Sequence, residues 1–408
     1  MMSLNFNNLK EGNLMKDVVI VSAKRTAIGS YLGVFNNVSP IDLAVTAVKS
    51  ALEAANVTPQ QVDNLIFGHV FSAGLGQNPA RQIAKFAGIP DQATANVVSM
   101  VCGSGLKAVM DAVLQIQTGE SEIVVAGGTE SMSNAVYTLD SHRTGAKTGN
   151  SQLTDIVLKD GLIDAFSGFH MGITAENLAK KYQISREEQD AYALQSQQRA
   201  ETAITSGRFK NEIAAHIIST RGGDTIVDSD EYPRFGIPLK VISKARPAFK
   251  KDGTVTAANA SGLNDGAAAV VLMSKEKALA LGLTPMVTIR AQGAAGVDPD
   301  IMGYGPVPAT QKALKKAGLT VQDLNLVEAN EAFASQCLSV IKGLGLDPAI
   351  TNVNGGAISL GHPVGASGAR ILVTLLHELT KRKERYGLAT LCIGGGQGVA
   401  LLVENENR

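Results

Sequence analysis

Tryptophan is missing from the 408 residues, cysteine occurs only three times, and neither sign of charge is in excess, with 37 basic and 37 acidic side chains. The balance of charge leaves no basic footprint for a nucleic acid, and no long block of like charge breaks it. So few cysteines in so long a chain do not make a disulfide framework, which points to a reducing, cytoplasmic setting. No Cys-x-x-Cys pair or Cys/His cluster has zinc spacing, so no metal is expected. No uninterrupted apolar run is long enough to span a bilayer, and no membrane partner is expected either. No glycine fingerprint followed by a ribose-binding acid opens the chain, which argues against a nicotinamide-dependent dehydrogenase. Residues 1–15 lack both the apolar core of a signal peptide and the arginine-rich pattern of a transit peptide. They read as an appendage, with Met15 as an alternative start.

What the chain has in quantity is glycine, 42 residues gathered into CGSG, AGG, NGGAISLGHPVGASG and CIGGGQG. Clusters of this kind mark tight turns and close backbone approach rather than a flexible linker. In VCGSGLK, Cys102 follows Ala95–Val101, which reads as a short, mostly buried strand. It precedes Leu106, Val109, Met110, Val113 and Ile116, apolar at helical spacing up to Gly119. Cys102 therefore belongs at a strand-to-helix turn, where unpaired N–H groups and the helix dipole favour a thiolate. A buried structural cysteine is the alternative that this stretch alone leaves open. Cys337 sits in a helix-like pattern and reads as ordinary packing, whereas Cys392 ends a strand and opens onto glycines. His362 is fixed in a glycine- and proline-rich turn before a helix, which suits a positioned base or donor.

The length calls for two or three domains, and the chain repeats itself. ALEAANVTPQQVDNL from Ala51 matches ALKKAGLTVQDLNLV from Ala313 at an offset of 262 residues. One residue out of that register, Ser104-Gly105-Leu106-Lys107 aligns with Ser367-Gly368-Ala369-Arg370, each opening an apolar helix. The stretches from Glu122 and Leu388 also match in type. Three matches in the same order argue for two related halves. Each half alternates strand and helix, which predicts parallel or mixed sheets covered by helices. Residues 133–260 have no counterpart. They are more polar, carry a capping box at Ser185–Glu188 before a helix that ends near Gly207, and read as an inserted lid over a ligand.

In order, VCGSGLKAV, HMGITAEN, NASGLNDGAA, NEAFA, GHPVGASGAR and CIGGGQG run through nearly the whole chain from Lys16. Together they resemble the thiolase family. The resemblance implies the α/β thiolase fold, with two similar core domains of mixed sheets covered by helices in five layers (αβαβα) and an inserted loop domain. The expected division is a 1–15 extension, an N-terminal core of 16–132 and 261–284, a loop domain of 133–260 that binds coenzyme A, and a C-terminal core of 285–408. Residue by residue, Cys102 matches the acyl-accepting nucleophile and His362 the group that activates it and later joins an oxyanion hole. Cys392 matches the acid/base at the substrate α-carbon, and Asn330 the residue that holds a water in that hole. The amides of Gly394 and Cys102 match a second hole. His170-Met171-Gly172 matches the motif of short-chain members. Arg234, Phe249 and Ser261 match positions that contact coenzyme A, and Leu162, Ala257 and Met302 match pocket-lining ones, with Phe333 nearby. Val241 and Ala258 depart from the serine and glycine often found there.

The implied activity is a reversible Claisen condensation of two acetyl-CoA to acetoacetyl-CoA and CoA through an acetyl-cysteine. The thioesters are substrates, no cofactor is expected, and the expected partner is a further copy of the chain in a dimer of dimers. A thiolate exchanges with a thioester at little cost because both leaving groups are sulfur, and two successive oxyanions call for two donor sets. A degradative 3-ketoacyl-CoA thiolase of broader chain length is the alternative. A ketoacyl synthase would pair its cysteine with two histidines, and Cys392 and Asn330 stand against that. A non-catalytic acyl-CoA-binding module would have lost these reactive residues, and all are present.

Overall fold

The computed structural model describes residues 16–407, so the appendage read at residues 1–15 lies outside the described residues. The first half runs β1 (Val18–Arg25), β2 (Gly29–Ser30), α1 (Pro40–Ala54), β3 (Asn64–Gly68), α2 (Pro79–Phe86), β4 (Thr94–Val98), α3 (Ser104–Thr118) and β5 (Ile123–Ser131). The segment without a counterpart holds two small hairpins, a wide helical turn at Val157–Leu162 and three α-helices: β6 (Tyr137–Thr138), β7 (Thr154–Asp155), α4 (Met171–Lys181), α5 (Arg186–Thr205), β8 (His216–Thr220), β9 (Gly223–Val227) and α6 (Leu239–Ser243). The chain then returns through β10 (Asn264–Ser274) and α7 (Lys275–Ala280). The second half runs β11 (Val287–Gly296), α8 (Pro306–Ala317), β12 (Leu326–Ala329), α9 (Ala334–Leu344), α10 (Ala357–Leu360), α11 (Ser367–Arg382), β13 (Tyr386–Ile393) and β14 (Gln397–Glu404). Among the described residues no helix is long and apolar enough to cross a membrane.

Period-two alternation sorts the strand residues into layers. In the first half Val18, Ile20, Ile66, Val124, Val270 and Leu272 face α3 and α11 in a central core. Their neighbours Val19, Val21, Leu65, Phe67, Val125 and Val271 face α1 and α2 in an outer one. In the second half Leu391, Val399 and Leu401 join the central core, and Leu388, Ala400 and Leu402 pack on α8 and α9. Both faces of every inner strand are thus covered, which is why these strands read as near-continuous apolar runs. The layers are helix, sheet, helix, sheet, helix.

The pairing scheme is duplicated. β3 pairs in parallel with β4 and β5, β5 pairs antiparallel with β10, and β10 antiparallel with β1. In the second half β12 pairs in parallel with β13, followed by antiparallel β13–β14 and β14–β11. A single parallel bridge from Val327 to Thr351 stands where the counterpart of β4 would be. The two halves join edge to edge through Val19–Thr288 and Ile20–Val287, giving the order β12-β13-β14-β11-β1-β10-β5-β3-β4.

The stretch before Cys102 differs from its reading as a mostly buried strand. β4 stops at Val98 and is exposed or half-buried along its length, because it is the sheet's edge and has one neighbour only. The helix after Cys102 starts earlier than its first apolar residue, at Ser104, and ends on Gly119 in the left-handed conformation as its pattern predicts. The capping box at Ser185 is formed: its hydroxyl accepts from the Glu188 amide, and the Glu188 carboxylate accepts from the Ser185 amide at 2.7 Å.

The serine-glycine repeats explain how the halves meet. A Cβ on Gly368 would lie 2.4 Å from the Leu106 nitrogen, and one on Gly105 2.9 Å from the Ala369 nitrogen. Only glycine at both positions lets the first turns of α3 and α11 touch. That contact sets the two glycine turns, and the residues they carry, side by side.

Candidate active site

Cys102 occupies a strained corner. Val101, a β-branched residue, takes φ of +45°, a left-handed value that costs about 1–3 kcal/mol and persists only where the surroundings enforce it. The enforcement is local: the Ser104 hydroxyl donates to the Val101 carbonyl at 2.6 Å and accepts the Met100 amide at 2.8 Å. His362 is held from the other half. Its amide donates to Asn264 Oδ1 at 2.9 Å, its Nδ1 lies 2.6 Å from Ser367 Oγ, and Asn330 Nδ2 is 3.5 Å from the same nitrogen.

Cys102 and His362 line one small cavity of about 40 Å³, together with Gly161, Leu162, Met171, Ser261, Met302, Ala332, Phe333, Val364 and Gly394. Cys392, at the end of β13, is buried beside it and packs with Met171, Met302 and Phe333. Met171, Gly161 and Gly394 also border a larger, more open cavity of about 450 Å³ that reaches Lys159, Phe166 and Gln397. His170 caps α4 by accepting the Gly172 amide at 3.0 Å, and its ring stacks on Phe249 with centroids 4.5 Å apart. Phe249 in turn meets Phe333 edge-on at 6.1 Å.

Of the residues singled out in the sequence, Cys102, His362, Gly394, Leu162, Met171, Ser261, Met302 and Phe333 therefore share one cavity. Cys392 and Phe249 pack on its wall residues, Asn330 lies beside His362, and His170 stacks on Phe249. Arg234 and Ala257 do not line it. They border a separate small cavity with Gln197, Tyr232 and Ala258, and the Arg234 amide donates to Gln197 Oε1. Val241 is exposed on α6.

Electrostatics reverse one expectation. The turn before α3 predicts a thiolate, but burial pushes the Cys102 thiol up to about 11. The Gly394 amide at the sulfur opposes that shift, and the nearby Glu130 carboxylate adds to it. Cys392 is held well above an ordinary thiol, by burial first and then by Cys102. His362 is pushed down to about 4 by burial, with Arg370 contributing. At neutral pH the three groups rest uncharged, so Cys102 is a thiol that must be activated during the reaction.

Cys337 is also more than apolar packing. Its sulfur lies 3.1 Å from the Tyr192 hydroxyl, beside a buried Glu331 carboxylate that accepts from Tyr192, Ser196, Asn352 and the Ile358 amide. The network clips α5 to the loop carrying Asn330 and lies apart from the Cys102 cavity. Residues missed in the sequence include Asn264, Ser367 and Glu130. Glu130 accepts the amides of Val70, Phe71 and Gly365 and so ties the His362 loop to the end of β3. Ser367 had a signal in the duplicated serine-glycine pair. Asn264 stands inside the NASGLNDGAA motif without a role assigned to it, and Glu130 had no signal beyond its place after a glycine pair.

Comparison with known proteins covers nearly the whole described chain. Residues 18–276 match the family model described as "Thiolase, N-terminal domain", and residues 283–405 match "Thiolase, C-terminal domain". The acetyl-CoA acetyltransferase of Rhizobium meliloti is 56% identical over 387 residues, 95% of this chain and 98% of that protein. The acetyl-CoA acetyltransferase of Escherichia coli is 54% identical over 394 residues, 96% of this chain and 100% of that protein. Among solved structures, the Bacillus anthracis acetyl-CoA acetyltransferase superposes with a TM-score of 0.95 at 46% identity, covering 96% of this chain and 100% of that one. Human mitochondrial 3-ketoacyl-CoA thiolase does so with a TM-score of 0.94 at 45% identity and the same coverage.

Proposed function

The chain belongs to the thiolase family, and from that premise we propose which residues carry its chemistry and on which substrates. It is an acyltransferase, an acetyl-CoA C-acetyltransferase that joins two acetyl-CoA into acetoacetyl-CoA and CoA. The observation that carries the residue roles is the single cavity in which the Cys102 sulfur, His362 and the Gly394 amide converge.

The sequence of proton movements follows from the resting state. Cys102 and His362 are both neutral, so the Cys102 proton passes to His362 as sulfur attacks the thioester carbon. The oxyanion of the first addition lies against the amides of Cys102 and Gly394. Collapse expels the coenzyme A sulfur and leaves acetyl-Cys102. A thiol cannot accept a proton before losing its own, so Cys392 gives its proton to the departing sulfur and becomes the thiolate. Its raised affinity for protons then suits the next step, removal of a proton from the methyl of a second acetyl-CoA. The enolate oxygen is held by His362 and a water on Asn330, whose buried Oδ1 has no protein partner. The carbanion attacks acetyl-Cys102, and the Cys102 sulfur leaves and recovers its proton from His362. Each donor aimed at a developing oxyanion is worth about 3–4 kcal/mol.

Mass spectrometry after mixing with acetyl-CoA tests this directly. An acetyl group on the Cys102 peptide, with release of free CoA that does not depend on NAD, is the expected result. An adduct on Cys337 instead would sink the assignment.

A degradative thiolase of broader chain length is the second reading. It is favoured by the nearly equal structural likeness to the human 3-ketoacyl-CoA thiolase and by the large cavity bordered by Met171. The 40 Å³ at Cys102 favours acetyl. We place the enzyme in the cytoplasm as a homo-oligomer, a dimer of dimers. Support for self-association comes from the uncovered edge strand β4 and from exposed Leu32, Tyr137 and Leu153 around the β6–β7 hairpin.

A further inference from the structure

The duplicated pair Ser104-Gly105 and Ser367-Gly368 leaves a residue unused. The glycines bring α3 and α11 together, but the serines have so far no part in the chemistry. Each serine is the first residue of its central helix, and each is fully buried. Each donates its hydroxyl proton back to a carbonyl in the preceding turn: Ser104 to Val101 at 2.6 Å, Ser367 to Pro363 at 2.8 Å. In the first half the serine oxygen then accepts the Met100 amide, which closes the turn around Cys102. In the second half the same oxygen meets a side chain instead, Nδ1 of His362 at 2.6 Å.

A hydroxyl has one proton and two lone pairs. A carbonyl cannot donate, so the contact with Pro363 uses the Ser367 proton. With its proton on the Pro363 carbonyl, the oxygen has only lone pairs left for His362, and Nδ1 is then the donor. A neutral imidazole carries one N–H, which leaves Nε2 as its free lone pair. The opposite arrangement, with Ser367 donating to Nδ1, would place the proton on Nε2 and leave His362 unable to accept one from Cys102.

We infer that Ser367 is a positioning residue that fixes the tautomer of His362, and that Ser104 is its counterpart in the other half, holding the Cys102 turn. The inference rests on the reading of His362 as the base for Cys102. One structural device, duplicated with the fold, serves the nucleophile in one copy and the base in the other.

The test uses the intact enzyme labelled with ¹⁵N-histidine, with His362 assigned by comparison with His362→Asn. Wild type is expected to show a protonated, pyrrole-type Nδ1 and a pyridine-type Nε2; the reverse pattern overturns the inference. Ser367→Ala is expected to give mixed tautomer signals and to slow acetylation of Cys102 by about 10- to 100-fold, as loss of an outer orienting partner commonly does, while KM for acetyl-CoA stays near its wild-type value. Acetylation at the wild-type rate in Ser367→Ala also overturns it. Should that variant fail to fold, the wild-type spectrum alone decides. A wild type that shows the expected tautomer but never acetylates Cys102 removes the functional reading and not the tautomer assignment.

Discussion

Cys102 combines a neighbour in a strained backbone conformation with a thiol that burial keeps protonated, up to about 11. At neutral pH the thiol form therefore dominates before substrate arrives. Alkylation by iodoacetamide in the absence of substrate should therefore rise about tenfold per pH unit from pH 7 to pH 10 without a plateau, since only the thiolate reacts. A plateau near neutrality would mean a preformed ion pair with His362. Cys392→Ala should separate the half-reactions. The departing coenzyme A sulfur can take a proton from solvent, so Cys102 acetylation survives, whereas condensation has no base and falls by at least about 10²-fold. Quenched-flow acetylation and steady-state acetoacetyl-CoA synthesis measure the two; equal loss of both would make Cys392 structural or common to both steps. At this scale the sequence shows what glycine turns display: Cys102, His362 and Cys392 each stand in one. It does not show the charge state, because burial outweighs the helix N-terminus, and burial depends on the halves closing. Nor does it show Asn264, which reaches the His362 amide across 98 residues of chain.

The helix α4 carries the cavity's outer wall. A Cβ on Gly172 would lie 2.2 Å from the Phe249 ring, the ring on which His170 stacks. Gly172→Ala should displace Phe249, lower stability by about 1–3 kcal/mol, and raise KM for acetyl-CoA more than it lowers kcat. A thermal melt with steady-state kinetics checks this, and unchanged KM would detach Phe249 from substrate binding. One residue away, Met171 borders both the small cavity and the large one. Met171→Ala should join them, so that 3-ketoacyl-CoA chains of six to eight carbons gain relative to acetoacetyl-CoA in kcat/KM. If wild type already cleaves them equally well, the short-chain reading gives way to the broader one. Local signals read well among the elements: the capping box at Ser185 and the left-handed Gly119 appear where expected because each depends only on its own few residues. β4 was misread because exposure depends on what lies alongside, and a strand's own residues do not say that it is last in its sheet.

Across the whole molecule, the duplicated fold was legible because the two copies keep the same order of elements, including Ala51 and Ala313 at the core-facing ends of α1 and α8. The tie between the inserted segment and the core was not. Arg25, fully buried on β1, pairs with Asp230 through both terminal nitrogens and with Glu212 through Nε at 2.6 Å. Those partners lie about 200 residues away in sequence and carry no motif. Arg25→Ala leaves two buried carboxylates without their cation and should cost about 3–5 kcal/mol, read as a fall in the thermal midpoint. A midpoint unchanged within error would show that the network is idle. At this scale too, light scattering of the intact enzyme at micromolar concentration should give a mass several times that of one chain, and a monomer mass would remove the oligomer proposal.

The pairing of β1 also governs how the chain is made. Its two neighbours are β10 and β11, and its register with β10 runs from Val18–Ser274 to Arg25–Ala268. Between Arg25 and Ser274 lie 249 residues of synthesis, which take about 12–50 s at ~5–20 residues per second. Once clear of the exit tunnel, Val18-Val19-Ile20-Val21 waits about that long with both edges unpaired, the condition under which apolar strands find other chains. Nascent chains stalled near residue 240 should therefore aggregate or recruit a holding chaperone, and those stalled past about residue 330, once β10 and β11 have cleared the exit tunnel, should not. The earliest described strand of this enzyme waits longest for its place, and its yield in a cell depends on what shields it meanwhile.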